Sequence, residues 1–159
     1  GISARNLWDA TLVGPGPPRH ARPEPPFPPR RSLGMRHEPT DITIIGAGPT
    51  GLYALFYAGM RGVRAQVIDA LPQAGGQLQA LYPEKFIFDV AGFPRVLAKD
   101  LVAGLVQQAA QFGQPLHLNR TVTGLDEEDG LFVLRTTDGD FPTRSIVIAG
   151  GIGAFSPRR

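Results

Sequence analysis

From Asp41 onward the hydrophobic positions fall into two periods. Asp41-Ile-Thr-Ile-Ile-Gly46 is a β-branched run closed by glycine and predicts a buried strand. Leu52, Leu55, Phe56, Gly59 and Met60 recur at helical spacing, so Pro49 to Arg61 predicts a helix, with proline in its first turn and Gly62 at its end. Arg64 to Asp69 predicts a second strand, completing a βαβ unit. Leu97 to Phe112 carries an apolar stripe of Leu101, Val102, Leu105, Val106 and Ala109 and predicts a second helix, stopped by Gly113 and Pro115. Leu116-His-Leu118 reads as a strand returning to the sheet. Beyond Thr121 the pattern changes to short alternating runs, Val122–Asp126, Leu131–Thr136 and Phe141–Ile148, separated by Asp129-Gly130 and Asp138-Gly139. These predict a small β-meander, with Ile146 to Ala149 fully buried.

The first 34 residues lack either period. They hold 8 of the 16 prolines and five arginines against Asp9 and Glu24, a net charge of +3. Such text favours extended, unpaired backbone, and we expect 1–34 to be a disordered Pro/Arg-rich tail, upstream of a start at Met35. The remaining residues carry 11 basic and 12 acidic groups. The basic balance of the whole chain therefore comes from the tail and implies no nucleic-acid surface on the folded part.

Composition narrows the chemistry. With 42% hydrophobic and 19% charged residues in 159, residues 35–159 have the material for one domain with a core. Cysteine is absent, which excludes disulfides, thiolate metal sites and a thiol redox pair within this sequence. No apolar run reaches membrane-spanning length and no signal-peptide h-region is seen, so we expect a cytoplasmic protein.

The sharpest motif is Gly46-Ala-Gly48-Pro-Thr-Gly51 at a strand-to-helix junction. The first glycine permits a tight turn, the second lets backbone approach a pyrophosphate, and the third lets helix and strand pack closely. Asp69 ends the next strand, where a carboxylate can bind ribose hydroxyls and repel a 2′-phosphate. NADP is thus disfavoured at this site, while NAD and the ADP half of FAD both remain open. Gly75-Gly76-Gln77 offers a second close backbone approach, with Gln77 supplying donors and an acceptor. A further glycine-rich stretch, Ala149-Gly150-Gly151-Ile-Gly153-Ala-Phe155, favours the longer ligand, FAD. Of the aromatics that follow Gln77, Tyr82 is the candidate to stack on a flavin, whereas Phe86, Phe88 and Phe93 are expected in the core. His20, His37 and His117 are scattered, and Asp126 to Asp129 reads as a solvated hairpin end, so no metal site is expected.

Three segments, Asp41 to Leu52, Gly75 to Pro94 and Gly151 to Arg159, closely resemble the thioredoxin-reductase-like type of ferredoxin–NADP(+) reductase. Leu81-Tyr-Pro-Glu-Lys85 separates this family from thioredoxin reductases, which share the preceding Gly-Gly-Gln-Leu but usually lack this segment. The resemblance implies an α/β, Rossmann-like FAD-binding domain of three layers with a parallel sheet and a small β-meander. It implies an oxidoreductase moving electrons between NADP(H) and ferredoxin, with FAD as cofactor and a homodimeric assembly. Residue by residue, it places Gly46, Gly48, Thr50 and Gly51 at the pyrophosphate, Asp69 at the adenosine ribose, Gln77 at the flavin side and Tyr82 on the isoalloxazine. Val122 and Phe155 match further FAD contacts of the family. Members are considerably longer, so we expect residues 35–159 to be the first FAD-binding segment of an incomplete protein without turnover of its own. Exposed apolar surface is a further expectation. The competing readings are the FAD segment of a thioredoxin-reductase-like enzyme and a non-catalytic dinucleotide-binding module.

Overall fold

The computed structural model describes residues 36–151. The expectations for the tail and for Phe155 lie outside the described residues. The strands are β1 (Thr40–Ile45), β2 (Ala65–Ile68), β3 (Phe86–Ile87), β4 (Val96–Leu97), β5 (Leu116–His117), β6 (Val122–Glu128), β7 (Leu131–Thr136) and β8 (Gly139–Ile148). The helices are α1 (Pro49–Met60), α2 (Gly76–Ala80) and α3 (Ala98–Ala110).

Six strands form one mixed sheet in the order β5-β2-β1-β8-β7-β6. The first four are parallel and the last two antiparallel. Period-2 alternation divides the two faces. Ile44 and Val67 point toward α1 and join Leu52, Leu55, Ala58 and Ala109 in one buried cluster. The alternate residues Ile45 and Ile68 point the other way and meet Val122, Leu134, Phe141 and Ile146.

β8 belongs to both parts of the sheet. Its Thr143–Ile148 half pairs with β1, and its Gly139–Thr143 half pairs with β7. Leu134 and Phe141 share a core with Ile68, although β1 and β8 lie between β2 and β7 in the ladder. The meander therefore curls back over the parallel strands. The result is a Rossmann-like α/β fold of three layers: helices, parallel strands and antiparallel meander.

Several expectations are corrected. Ile148 is 82% exposed and Val147 39% exposed, so the run ending β8 is not buried. A continuous apolar run suits a two-sided core, but the end of β8 is open among the described residues. Phe86, Phe88 and Phe93 are exposed rather than core. Their segment forms only the β3–β4 hairpin, with two residues per strand, too small to enclose a phenyl ring. Met60 lies off the buried stripe of α1, whose covered residues are Gly51, Leu52, Leu55 and Ala58.

The meander's acids are not simply solvated. Asp126 and Glu128 bond Arg135, which also binds the buried Asp140, and Arg36, ahead of β1, reaches Glu128. Cross-strand alternation puts these residues on one face of the hairpin. The Asp129-Gly130 turn is seen as expected, both residues having positive φ (51° and 75°). The next turn is one residue earlier than expected, because Gly139 already pairs with Thr136.

Candidate functional site

Three glycine-rich segments meet at the carboxyl ends of β1 and β8. A side chain at Gly46 would stand 2.5 Å from the Ala149 carbonyl oxygen, and one at Gly51 would overlap the Gly46 carbonyl oxygen outright. These two glycines are consumed by the protein's own packing. Gly48 differs, because a Cβ there would meet nothing within 4 Å. The surface above it is open for a ligand's backbone contact, as the middle glycine of such a turn should allow.

Gly48 is also the N-cap of α1, which begins with no side-chain cap and no acidic residue in its first turn. The leading amides of the helix are therefore available to an anion, and the helix dipole adds to their attraction. Thr50 stands exposed in this first turn. The cradle fits a pyrophosphate in shape and in sign.

Asp69 follows β2 and is half-buried. Its carboxylate accepts a hydrogen bond from the Ala47 amide inside the glycine turn. It also accepts one from the Leu71 amide at 2.7 Å. Each oxygen thus has one internal donor and retains a lone pair for a ribose hydroxyl. Both amide bonds hold the carboxylate in place beside the glycine turn.

The second glycine segment docks on the first. The Gly75 amide donates to the Ala47 carbonyl at 2.8 Å, and a Cβ at Gly76 would come 3.1 Å from the Gly48 Cα. Gly75 and Gly76 have φ of 114° and 56°, which L side chains rarely adopt. The turn opens α2, a helix too short to show a 3.6-residue period in sequence. Gln77, on α2, is half-buried, and its Nε2 is the atom nearest to Gly151, 3.9 Å from where a Cβ there would lie. Gln77 is thereby placed between the second and third glycine segments.

Tyr82 stands two residues past α2 and is 48% exposed. The Lys85 ammonium lies 5.3 Å from its ring centroid. Val122 opens β6 on the opposite face of the sheet, packed against the core of Ile68, Leu134 and Phe141. It lines an apolar concavity of about 490 Å³ with Ile45, Leu125, Phe132, Ile146 and Ile148. Ile45 immediately precedes Gly46, so this concavity adjoins the start of the glycine turn.

The structure thus brings Gly46, Gly48, Gly51, Asp69 and Gln77 together. Tyr82 and Val122 flank them on separate elements. Among the described residues no cluster of acids or histidines could hold a metal ion. Sequence reading missed both amide bonds to Asp69: no residue pattern encodes the Ala47 donor 22 positions away, whereas the Leu71 bond, two residues on, is a local turn that aspartate commonly makes.

A profile for NAD(P)-binding Rossmann-like domains matches residues 44–93. The ferredoxin–NADP reductase of Thermus thermophilus is 52% identical over 126 residues, 79% of this chain and 38% of that protein. Ferredoxin–NADP reductase 2 of Chloroherpeton thalassium is 50% identical over 124 residues, 77% of this chain and 36% of its own length. Among solved structures, thioredoxin reductase of Lactococcus lactis superposes with TM-score 0.61 at 24% identity, over 69% of this chain and 34% of that one. Thioredoxin reductase of Gloeobacter violaceus gives 0.59 at 27% identity, over 69% and 36%. The chain spans well under half the length of the curated relatives it matches. Over that span, the protein is a homologue of the ferredoxin–NADP reductases of the thioredoxin-reductase-like type, built on the fold those two thioredoxin reductases share.

Proposed function

We propose that residues 35–159 supply the first FAD-binding segment of a flavoprotein oxidoreductase that passes electrons between NADP(H) and ferredoxin. One observation carries this reading. Three glycine segments, from β1–α1, the start of α2 and the end of β8, converge beside the Asp69 carboxylate. A single βαβ nucleotide site needs only the first of them. A ligand long enough to use all three is an extended dinucleotide such as FAD.

In this reading Gly48 and the leading amides of α1 hold the pyrophosphate, with Thr50 beside it. Asp69 accepts from the adenosine ribose, and Gln77 orients the flavin side. Tyr82 covers the ring system, while Val122 and Phe155 add apolar contact. FAD, when bound, supplies the capacity to take two electrons from a nicotinamide and release them singly. The residues here position it and shield it from water.

Asp69 disfavours a 2′-phosphate in this cradle. NADP(H) therefore belongs to a separate domain, with ferredoxin or a similar small carrier as the acceptor. The assembly proposed is a homodimer in the cytoplasm. No helix among the described residues is long and apolar enough to cross a membrane.

The test is titration of the full chain with FAD, NAD and NADP, followed by flavin fluorescence and by ligand-induced thermal shift. Saturable FAD binding, weakened by Gly48→Ala and Tyr82→Ala, supports the reading. NAD binding with no FAD binding replaces it with a plain dinucleotide module.

A further inference from the structure

The short segment after β5 grips Asp69 by its backbone. The Asp69 amide donates to the His117 carbonyl, and the Arg120 amide donates to the Asp69 carbonyl, each at 2.9 Å. The same segment ends in an aromatic cluster. His37 stacks flat on Phe141, with centroids 4.0 Å apart and planes at 12°. His117 lies tilted against both, 4.8 Å from Phe141 and 5.3 Å from His37. The Arg120 guanidinium carbon is 5.8 Å from the Phe141 ring.

The carboxylates around this cluster are already engaged. Asp138 is paired with Arg120 at 2.9 Å. Asp140, whose carbonyl accepts from the His37 amide at 3.1 Å, has its carboxylate engaged by Arg135. The Asp69 carboxylate is engaged by the Ala47 and Leu71 amides, and Arg36 is paired with Glu128. His37 Nε2 is buried with no hydrogen-bond partner among the described residues. No free carboxylate faces His117, whereas Arg120 and a second imidazole do.

We infer that His117 is a positioning residue for Asp69, and that its protonation loosens the segment holding that acid, so dinucleotide affinity falls as the medium is acidified. This rests on the dinucleotide reading of the site. An imidazolium at His117 would face the Arg120 cation and the His37 ring in a half-buried place. Separation of the rings then pulls on residues 117–120, and with them on both backbone bonds of Asp69. Burial first, then His37 and Arg120, hold His117 below the usual histidine value of 6.5. The neutral form is therefore the one the fold accommodates. Its stabilising effect is complete above about pH 6.5 and is lost as pH falls through the lowered value.

The experiment uses the full chain and two readouts. Amide hydrogen exchange without added nucleotide, corrected for intrinsic pH effects, is measured at residues 69–71 and 117–121 at pH 7.5 and 5.5. FAD dissociation constants are measured at the same two pH values. We expect selective loss of protection at pH 5.5 and FAD binding weaker there by severalfold than at pH 7.5. His117→Phe should flatten both responses. His37→Phe, which keeps the stack on Phe141, should raise the pH at which the His117 imidazole titrates by nuclear magnetic resonance. Equal pH responses in wild type and His117→Phe overturn the inference. If His117→Phe does not fold, an unchanged His117 titration in His37→Phe overturns it. Absence of FAD binding at either pH counts against the functional reading alone, and the exchange data then decide the coupling.

Discussion

The Ala47 amide donates to the Asp69 carboxylate across 22 positions of sequence. The acid is thus part of the glycine turn's own architecture as well as the ribose receptor proposed above. With the Leu71 amide on its other oxygen, it ties the end of β2 to the β1–α1 junction. A hydrogen bond of this charge-assisted kind contributes more than a neutral one, so under the proposed function stability and ligand binding share one side chain.

Asp69→Asn should therefore lower both stability and FAD affinity. The variant loses the charge and presents a donor to one of two amides, which costs about 1–3 kcal/mol. Thermal unfolding without ligand and FAD titration at neutral pH separate the two effects.

Gly48→Ala and Gly51→Ala should behave oppositely. A methyl group at 51 overlaps the Gly46 carbonyl oxygen, whereas one at 48 meets nothing within 4 Å. We expect Gly51→Ala to cost about 1–3 kcal/mol or more through overpacking. Gly48→Ala should leave the unfolding temperature within error and weaken FAD binding. Calorimetry paired with fluorescence titration reads both.

Arg135→Met should be among the most destabilising single changes in the meander. It leaves Asp140, 6% exposed, without its cation, a loss of about 3–5 kcal/mol. The three carboxylate bonds outweigh the burial that opposes the Arg135 charge. Arg135 and then Arg36 hold the Glu128 carboxyl below its ordinary range. The stabilisation this represents is present above the ordinary carboxylate value and is lost as pH falls through the lowered one. Wild type should lose stability on acidification toward pH 3 more steeply than Arg135→Met. Urea unfolding at several pH values checks this.

Ile148→Ser and Phe132→Ser should reduce self-association without lowering stability. Both line the apolar concavity, and they are 82% and 39% exposed. Exposed apolar surface of this kind drives association in water. Analytical ultracentrifugation and binding of a hydrophobic dye should both decline, with the unfolding temperature unchanged.

Local order set much of this protein. The βαβ unit was legible because α1 and its flanking strands each repeat a period over enough residues. The turn through Gly46, Gly48 and Gly51 was legible because a tight strand-to-helix junction needs glycine at those spacings. The meander was legible from its turns and alternation. Tertiary structure decided what depends on contacts far apart in sequence. Only the curl of β8 shows that Leu134 and Phe141 cover Ile68, and that Ile148 is left open. Only the approach of Gly75 to Ala47 shows that separate glycine segments form one cradle. Only the packing of His37 and His117 on Phe141 turns scattered histidines into neighbours. The physical reason is range. Backbone preference and side-chain period act over a few residues and are written along the chain, whereas burial, ion pairing and close approach exist only once distant segments have met.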